Sequence, residues 1–198
     1  MGAVLTAYTN PFTHIILSLP IPLLSSPIKS QTSEGFQFLC EILTEMNERV
    51  SILAMQKAES ENPALEDGEV DSKAVVEAVG ELYDGELTRH AVSEIRKAIT
   101  KFESSSYSCT SVNDERFDKV HIHCGLQFHP KLFAQLFKQS VVDKECSVTG
   151  AIALACLCEY TCAECAELSG NIKQNPDRVK EDFEKREENS NHDRTDYR

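Results

Sequence analysis

A chain of 198 residues has room for one ordinary domain or two small ones, and its 41% hydrophobic content is enough for a packed core, which excludes wholesale disorder. Its 20 Lys and Arg stand against 32 Asp and Glu, a formal charge of −12. A protein devoted to neutralising phosphates needs the opposite balance, so any nucleic-acid contact must rest on local patches.

Residues 1–35 are apolar and Pro-rich. Ile15, Ile16, Leu17, Leu19, Ile21, Leu23 and Leu24 form a run interrupted by Pro11, Pro20, Pro22 and Pro27. No Lys or Arg precedes Lys29, although a secretory leader wants one, and the prolines and short run argue against a membrane span. The expectation is a disordered extension with no membrane role. Over residues 36–56, Leu39, Ile42, Leu43, Met46, Val50 and Leu53 recur every three or four positions, with Glu41, Glu45 and Glu48 between them. That is the pattern of a long amphipathic helix. An acidic loop over residues 59–68, broken by Pro63 and Gly68, follows it.

Asp71 and Ser72 cap a short second helix that buries Ala74, Val75, Ala78, Val79 and Leu82. Asp84-Gly85 breaks the chain again. A third helix over residues 86–102 is expected to bury Leu87, Ala91, Ile95, Ala98, Ile99 and Phe102. Residues 104–118 are polar and Ser-rich, which suits a linker. Pro130 opens a helix that reaches about Gln139. After a loop over 140–148, residues 149–170 make the most apolar helix of the chain, expected to stop at a Gly170-Asn171 cap. Residues 172–198 mix charges around few apolar side chains and read as a frayed or disordered tail. The fold class is all-α.

Two stretches carry a family resemblance. Residues 85–94, GELTRHAVSE, and 97–102, KAITKF, resemble the GELAKHAVSE and KAVTKY runs of histone 2B, and residues 38–54 follow its long central helix in register. Residues 125–128, GLQF, match the opening of the histone 2A fold. From there the chain is similar to histone 2A without a gap as far as Asn171, with Glu159-Tyr160, Ala163-Glu164 and Glu167-Leu168 in the family's LEYLTAEILEL helix. The order looks like that of the fused 2B–2A doublets of some large DNA viruses.

The resemblance implies a histone fold in which two half-units in tandem make an intramolecular pair. Residues 36–106 are the 2B-like half, 107–123 a linker, 124–171 the 2A-like half and 172–198 a charged tail. Each half alone leaves an apolar stripe exposed. Clasping two halves buries both stripes, and fusion raises the effective concentration of the partner to roughly millimolar. The pairing core implied is Leu39, Ile42, Leu43, Met46, Val50, Leu154, Leu157 and Leu168. Both ends depart from the family. Pro-rich sequence stands where the first 2B helix belongs, and a charged tail stands where the last 2A helix belongs, so the expectation is a pair with unsupplied end helices.

The site residues implied fall into two sets. Lys73, Lys131, Lys138 and Lys144 are the candidate DNA contacts. This set is thinned, because Leu132 and Glu145 stand where family arginines touch phosphate, and the acidic insertion falls in a loop that faces DNA in the family. Glu86, Glu94, Glu159, Glu164 and Glu167 match the nucleosome's acidic surface, which accepts Arg-bearing peptides; a solvated helix face is the plainer reading.

Of the eight cysteines, Cys156, Cys158, Cys162 and Cys165 lie in the last apolar helix and read as buried small hydrophobes rather than disulfide or zinc partners. His121 and His123 read as a surface pair. No phosphate loop, nucleophile elbow or zinc-protease motif occurs, so neither enzyme activity nor a cofactor or metal is expected.

The functional expectation is a nuclear, histone-like chromatin protein. Its partners would be core histones or other histone-fold proteins, Arg-bearing peptides and, weakly, double-stranded DNA. The alternative is an acidic histone-fold interaction module, or a histone-derived product, that binds proteins rather than DNA.

Overall fold

The computed structural model describes residues 34–61, 69–141 and 144–174. Most of the expected Pro-rich extension, most of the acidic loop and the charged tail from residue 175 lie outside the described residues. The chain divides into two compact units, Met1–Cys162 and Ala163–Arg198. Every regular element among the described residues is helical, and the one extended pairing is an isolated parallel bridge between Val70 and Cys146. The expected all-α class holds.

Helix α1, Glu34–Glu61, runs five residues beyond the predicted end. One of its faces buries Phe36, Leu39, Leu43, Met46, Val50 and Ala54, the spacing of three and four that a 3.6-residue repeat requires. Four of the five pairing residues assigned to it are therefore in the core, and Ile42 is half-buried. Helix α2, Ser72–Leu82, begins where the cap predicts. The Asp71 carboxylate accepts the N–H groups of Lys73 and Ala74 at 2.9 and 3.0 Å, satisfying two donors that the first turn leaves without partners. Gly85, at φ 57°, opens α3, Gly85–Ser104, in a conformation that other residues adopt only with strain. Ala91, Ile95, Ala98 and Phe102 are buried on α3 as expected, and Leu82 and Ile99 are half-buried. Leu87, in the first turn of α3, is 40% exposed and departs from the expected buried set.

The expected linker, residues 107–123, is more structured than its composition suggests. A 3-10 turn at Glu115–Lys119 leads into the short helix α4, Val120–Cys124, and Phe117, Val120 and Cys124 are buried. Three apolar side chains at such spacing give a one-turn helix something to bury, despite the Ser-rich approach to it. Gly125, at φ 73°, ends α4, and the Leu126 N–H returns to the His121 carbonyl at 2.9 Å. Helix α5, Pro130–Ser140, follows, with Pro at its first turn.

Helix α6, Val148–Gln174, passes through Gly170-Asn171, so the predicted cap is not used. A glycine ends a helix only where the chain turns left-handed, and neither positive-φ glycine lies there. Residues 151–158 of α6 are buried at every position, including Leu154 and Leu157. That stretch is why α6 is long and apolar enough over Val148–Ser169 to cross a membrane by length and composition alone, although most of that span is buried inside the protein. Leu168 departs from the expected pairing core and is 59% exposed, since no helix follows α6 among the described residues to cover it.

Helix α1 packs against both α2 and α5. A polar clasp ties α6 into the same core. The Tyr83 hydroxyl lies 2.6 Å from Met46 Sδ and 2.8 Å from Thr161 Oγ1, joining α1, the α2–α3 junction and α6.

Candidate functional site

The Val70–Cys146 bridge brings together the loop before α2 and the loop before α6. The Ser147 N–H donates to the Val70 carbonyl at 2.9 Å, and Ser147 Oγ accepts the Gly150 N–H at 3.0 Å as the N-cap of α6. Thr149 Oγ1 lies 3.0 Å from Ser147 Oγ and accepts the Ser72 N–H at 3.4 Å. Two helix N-termini therefore converge, and each carries a partial positive charge. The backbones come so close that a Cβ on Gly150 would lie 2.2 Å from the Val70 carbonyl oxygen. The Cys146 thiol is pushed up to about 12 by burial first, with Glu69 and Glu145 adding to it.

This junction would hold an anion well if its charges were open, but its own carboxylates occupy them. Asp71 sits on the α2 terminus. Lys131 pairs with Asp118 at 2.7 Å, and Lys138 pairs with Glu145 at 2.7 Å, with Asn113 Nδ2 3.3 Å from the other Glu145 oxygen. The Lys138 ammonium holds the Glu145 carboxyl below the usual carboxylate range. Lys131, Lys138 and Glu145 line one hollow of about 130 Å³ with Cys146 at its edge. Lys73 stands three residues after Val70 and lies 3.9 Å from Glu77 on its own helix. Lys144 is half-buried in the loop before Cys146. Two of the four candidate cations thus share a hollow, already engaged by acids.

Asp118 was not among the sequence candidates. Its signal is faint: the Asp114 side chain accepts the Arg116 N–H at 2.8 Å, an Asp-x-Arg start to the turn that aims Asp118 back at α5.

The acidic candidates separate by element. On α3, Glu86 pairs with Arg89 and lies 3.7 Å from His90, and Glu94 pairs with Lys97 at 2.6 Å. Glu159, on α6, serves the fold instead. Its Oε2 accepts the N–H groups of Gln127 and Phe128 at 2.7 and 2.9 Å, fastening the GLQF turn. Burial raises the Glu159 pKa, opposed by those two N–H groups and by Lys101. The Cys156 thiol is pushed up to about 12 by burial first and then by the Glu159 and Glu94 carboxylates. In the second unit, Glu164 is half-exposed and Glu167 exposed, three residues apart on one helix.

All eight cysteines are free thiols, seven of them buried. Among the described residues no group of three or more His, Cys, Asp or Glu side chains is placed to hold a metal ion. The His121 ring packs on His129 at 3.7 Å, and His123 stacks on Tyr107 at 4.0 Å, so both histidines have ring partners rather than standing as an open surface pair.

Among the described residues the chain is all-α, and two of its loops pair beside two helix N-termini. By comparison with known proteins, the chain is similar to a histone doublet of Melbournevirus that joins histones 2B and 2A, 32% identical over 111 residues. The similarity covers 56% of this chain but only 39% of that protein. No family model matches.

Proposed function

We propose that this chain is a histone-like chromatin protein of the nucleus, in which a 2B-like and a 2A-like half pair within one polypeptide and associate with core histones or other histone-fold proteins. The observation that supports this most is the Val70–Cys146 bridge, which joins a loop of the first half to a loop of the second. Double-stranded DNA is a partner at the Lys73, Lys131, Lys138 and Lys144 surface, and a weak one, because Asp118 and Glu145 compete with phosphate for two of those lysines. The test is reconstitution with histone 3–4 tetramers and DNA, this chain replacing the 2A–2B dimer. Incorporation with salt-sensitive DNA affinity is expected; no incorporation and no DNA binding at low salt rejects the reading.

The same ion pairs favour a second reading, an acidic histone-fold module that contacts proteins. Glu86, Glu94, Glu159, Glu164 and Glu167 are its proposed surface for Arg-bearing peptides, since carboxylates accept guanidinium groups bidentately. Reversing Glu159, Glu164 and Glu167 to Lys should abolish capture of such a peptide, read by fluorescence anisotropy. Because Glu159 also fastens the GLQF turn, a variant reversing only Glu164 and Glu167 separates lost binding from lost fold. Undiminished capture in that variant removes the claim for those two.

A further inference from the structure

One face of α3 is basic in a chain that is acidic overall. Among the described residues, Arg89, Arg96, Lys97 and Lys101 line a hollow of about 670 Å³ whose floor includes Val92. No acidic side chain is among its described lining residues, although the formal charge of the chain is −12. All four cations are exposed and Val92 is half-buried. Ser93 and Thr100 place hydroxyl donors between them.

We infer that this face of α3 is a docking surface for an acidic polypeptide in extended conformation, with Asp or Glu at alternate positions. The occupant must be anionic, because charge complementarity is the feature this face offers most strongly. Spacing selects a peptide. From Arg89 to Lys97 is eight residues, about 12 Å of helical rise, and from Lys97 to Lys101 about 6 Å more. An extended strand repeats its side chains on one side every ~6.8 Å, so in a row of alternate carboxylates the first, third and fourth fall near Arg89, the Arg96–Lys97 pair and Lys101, while the second lies over Ser93.

A nucleic-acid backbone fits less well. Each strand presents a charge about every 3.4 Å along the duplex, and the run of phosphates would press on Glu86 and Glu94, which flank the hollow and pair with Arg89 and Lys97. A peptide with discrete carboxylates avoids those positions. The existing pairs are exposed, and such pairs exchange partners at little cost. Val92 and the aliphatic stems of the arginines and lysines supply apolar contact beneath the peptide backbone.

The surface does not depend on DNA binding, and the experiment keeps the two apart. The full chain is titrated by fluorescence anisotropy with a labelled peptide of alternating Glu and Ser, with its uncharged Gln-Ser counterpart, and with a short DNA duplex. Binding of the Glu-Ser peptide is expected at low salt, falling as salt rises, with no binding of the Gln-Ser peptide. An Arg89→Gln, Arg96→Gln double variant should lose tenfold or more in peptide affinity with its helical signal and melting curve unchanged. Arg49→Gln, on the exposed side of α1, should bind as the parent does. Failure of the parent to bind, or equal affinity in the double variant, overturns the proposal. A double variant that loses DNA affinity while keeping the peptide also overturns it, and makes the face a nucleic-acid contact.

Discussion

Gly150 shows how far one residue governs the join between the loop before α2 and the first turn of α6. Its missing side chain lets the first turn of α6 lie against the Val70 carbonyl, where a Cβ would fall at 2.2 Å. Backbone on both sides leaves little to yield, so Gly150→Ala should destabilise the fold by about 1–3 kcal/mol, the usual cost of overpacking. Gly80, inside α2, has nothing within 4 Å of its virtual Cβ. Gly80→Ala should therefore stabilise by up to about 1 kcal/mol through helix propensity alone. Denaturant melts of the two variants check both signs. The buried thiols give a second expectation at this scale. Burial holds Cys124, Cys146 and Cys156 at about 12 and raises Cys158 above its ordinary value of 9.0. A thiol whose folded pKa lies above its unfolded one contributes stability that is complete below the unfolded value and is lost as pH rises toward the folded value. Melting temperature should therefore fall steadily between about pH 9 and 12. Cys165, the half-buried one, should be alkylated first in the native protein, as mass spectrometry of brief labelling would show.

At the scale of elements, α6 carries the longest continuous buried stretch among the described residues. Ala155 and Leu157 are fully buried, and an aspartate at either place brings an unpaired charge into the apolar interior. Ala155→Asp with Leu157→Asp should abolish the cooperative melt and reduce far-UV helicity; unchanged helicity would count against this placement of the helix. The apolar faces of α1 and α3 were legible in the sequence because burial follows a helical period, α6 because its apolar run is continuous, and the Asp71 cap and the Pro130 start because local chemistry sets them. Local pattern failed where the deciding contact is distant. Glu159 is held by N–H groups 31 and 32 residues away. Lys131 meets Asp118 only after a turn that a Ser-rich approach disguises. Leu168 was placed in the pairing core by family position, yet position alone does not supply a helix to cover it.

For the whole molecule the decisive quantity is how its charge is arranged around the paired loops. A formal −12 opposes approach to DNA at long range, and the hollow beside the bridge pairs two lysines with carboxylates that any phosphate would have to displace. Exposed pairs of this kind are worth about 0–1 kcal/mol each, so they weaken DNA contact without forbidding it. Removing the competitors should then do more than remove repulsion. Asp118→Asn with Glu145→Gln changes the net charge by two and also takes away the carboxylates that compete with phosphate at Lys131 and Lys138. Each newly engaged lysine should steepen the dependence of log affinity on log salt by about one unit, whereas a change in distant charge shifts affinity with little change of slope. The matched control is Glu41→Gln with Glu48→Gln on the exposed side of α1, which makes the same net change away from the hollow. A steeper slope in the first variant and not in the second would place the DNA contact at Lys131 and Lys138. Equal slopes in both would mean that these lysines take no part, and that whatever DNA this chain binds is held elsewhere.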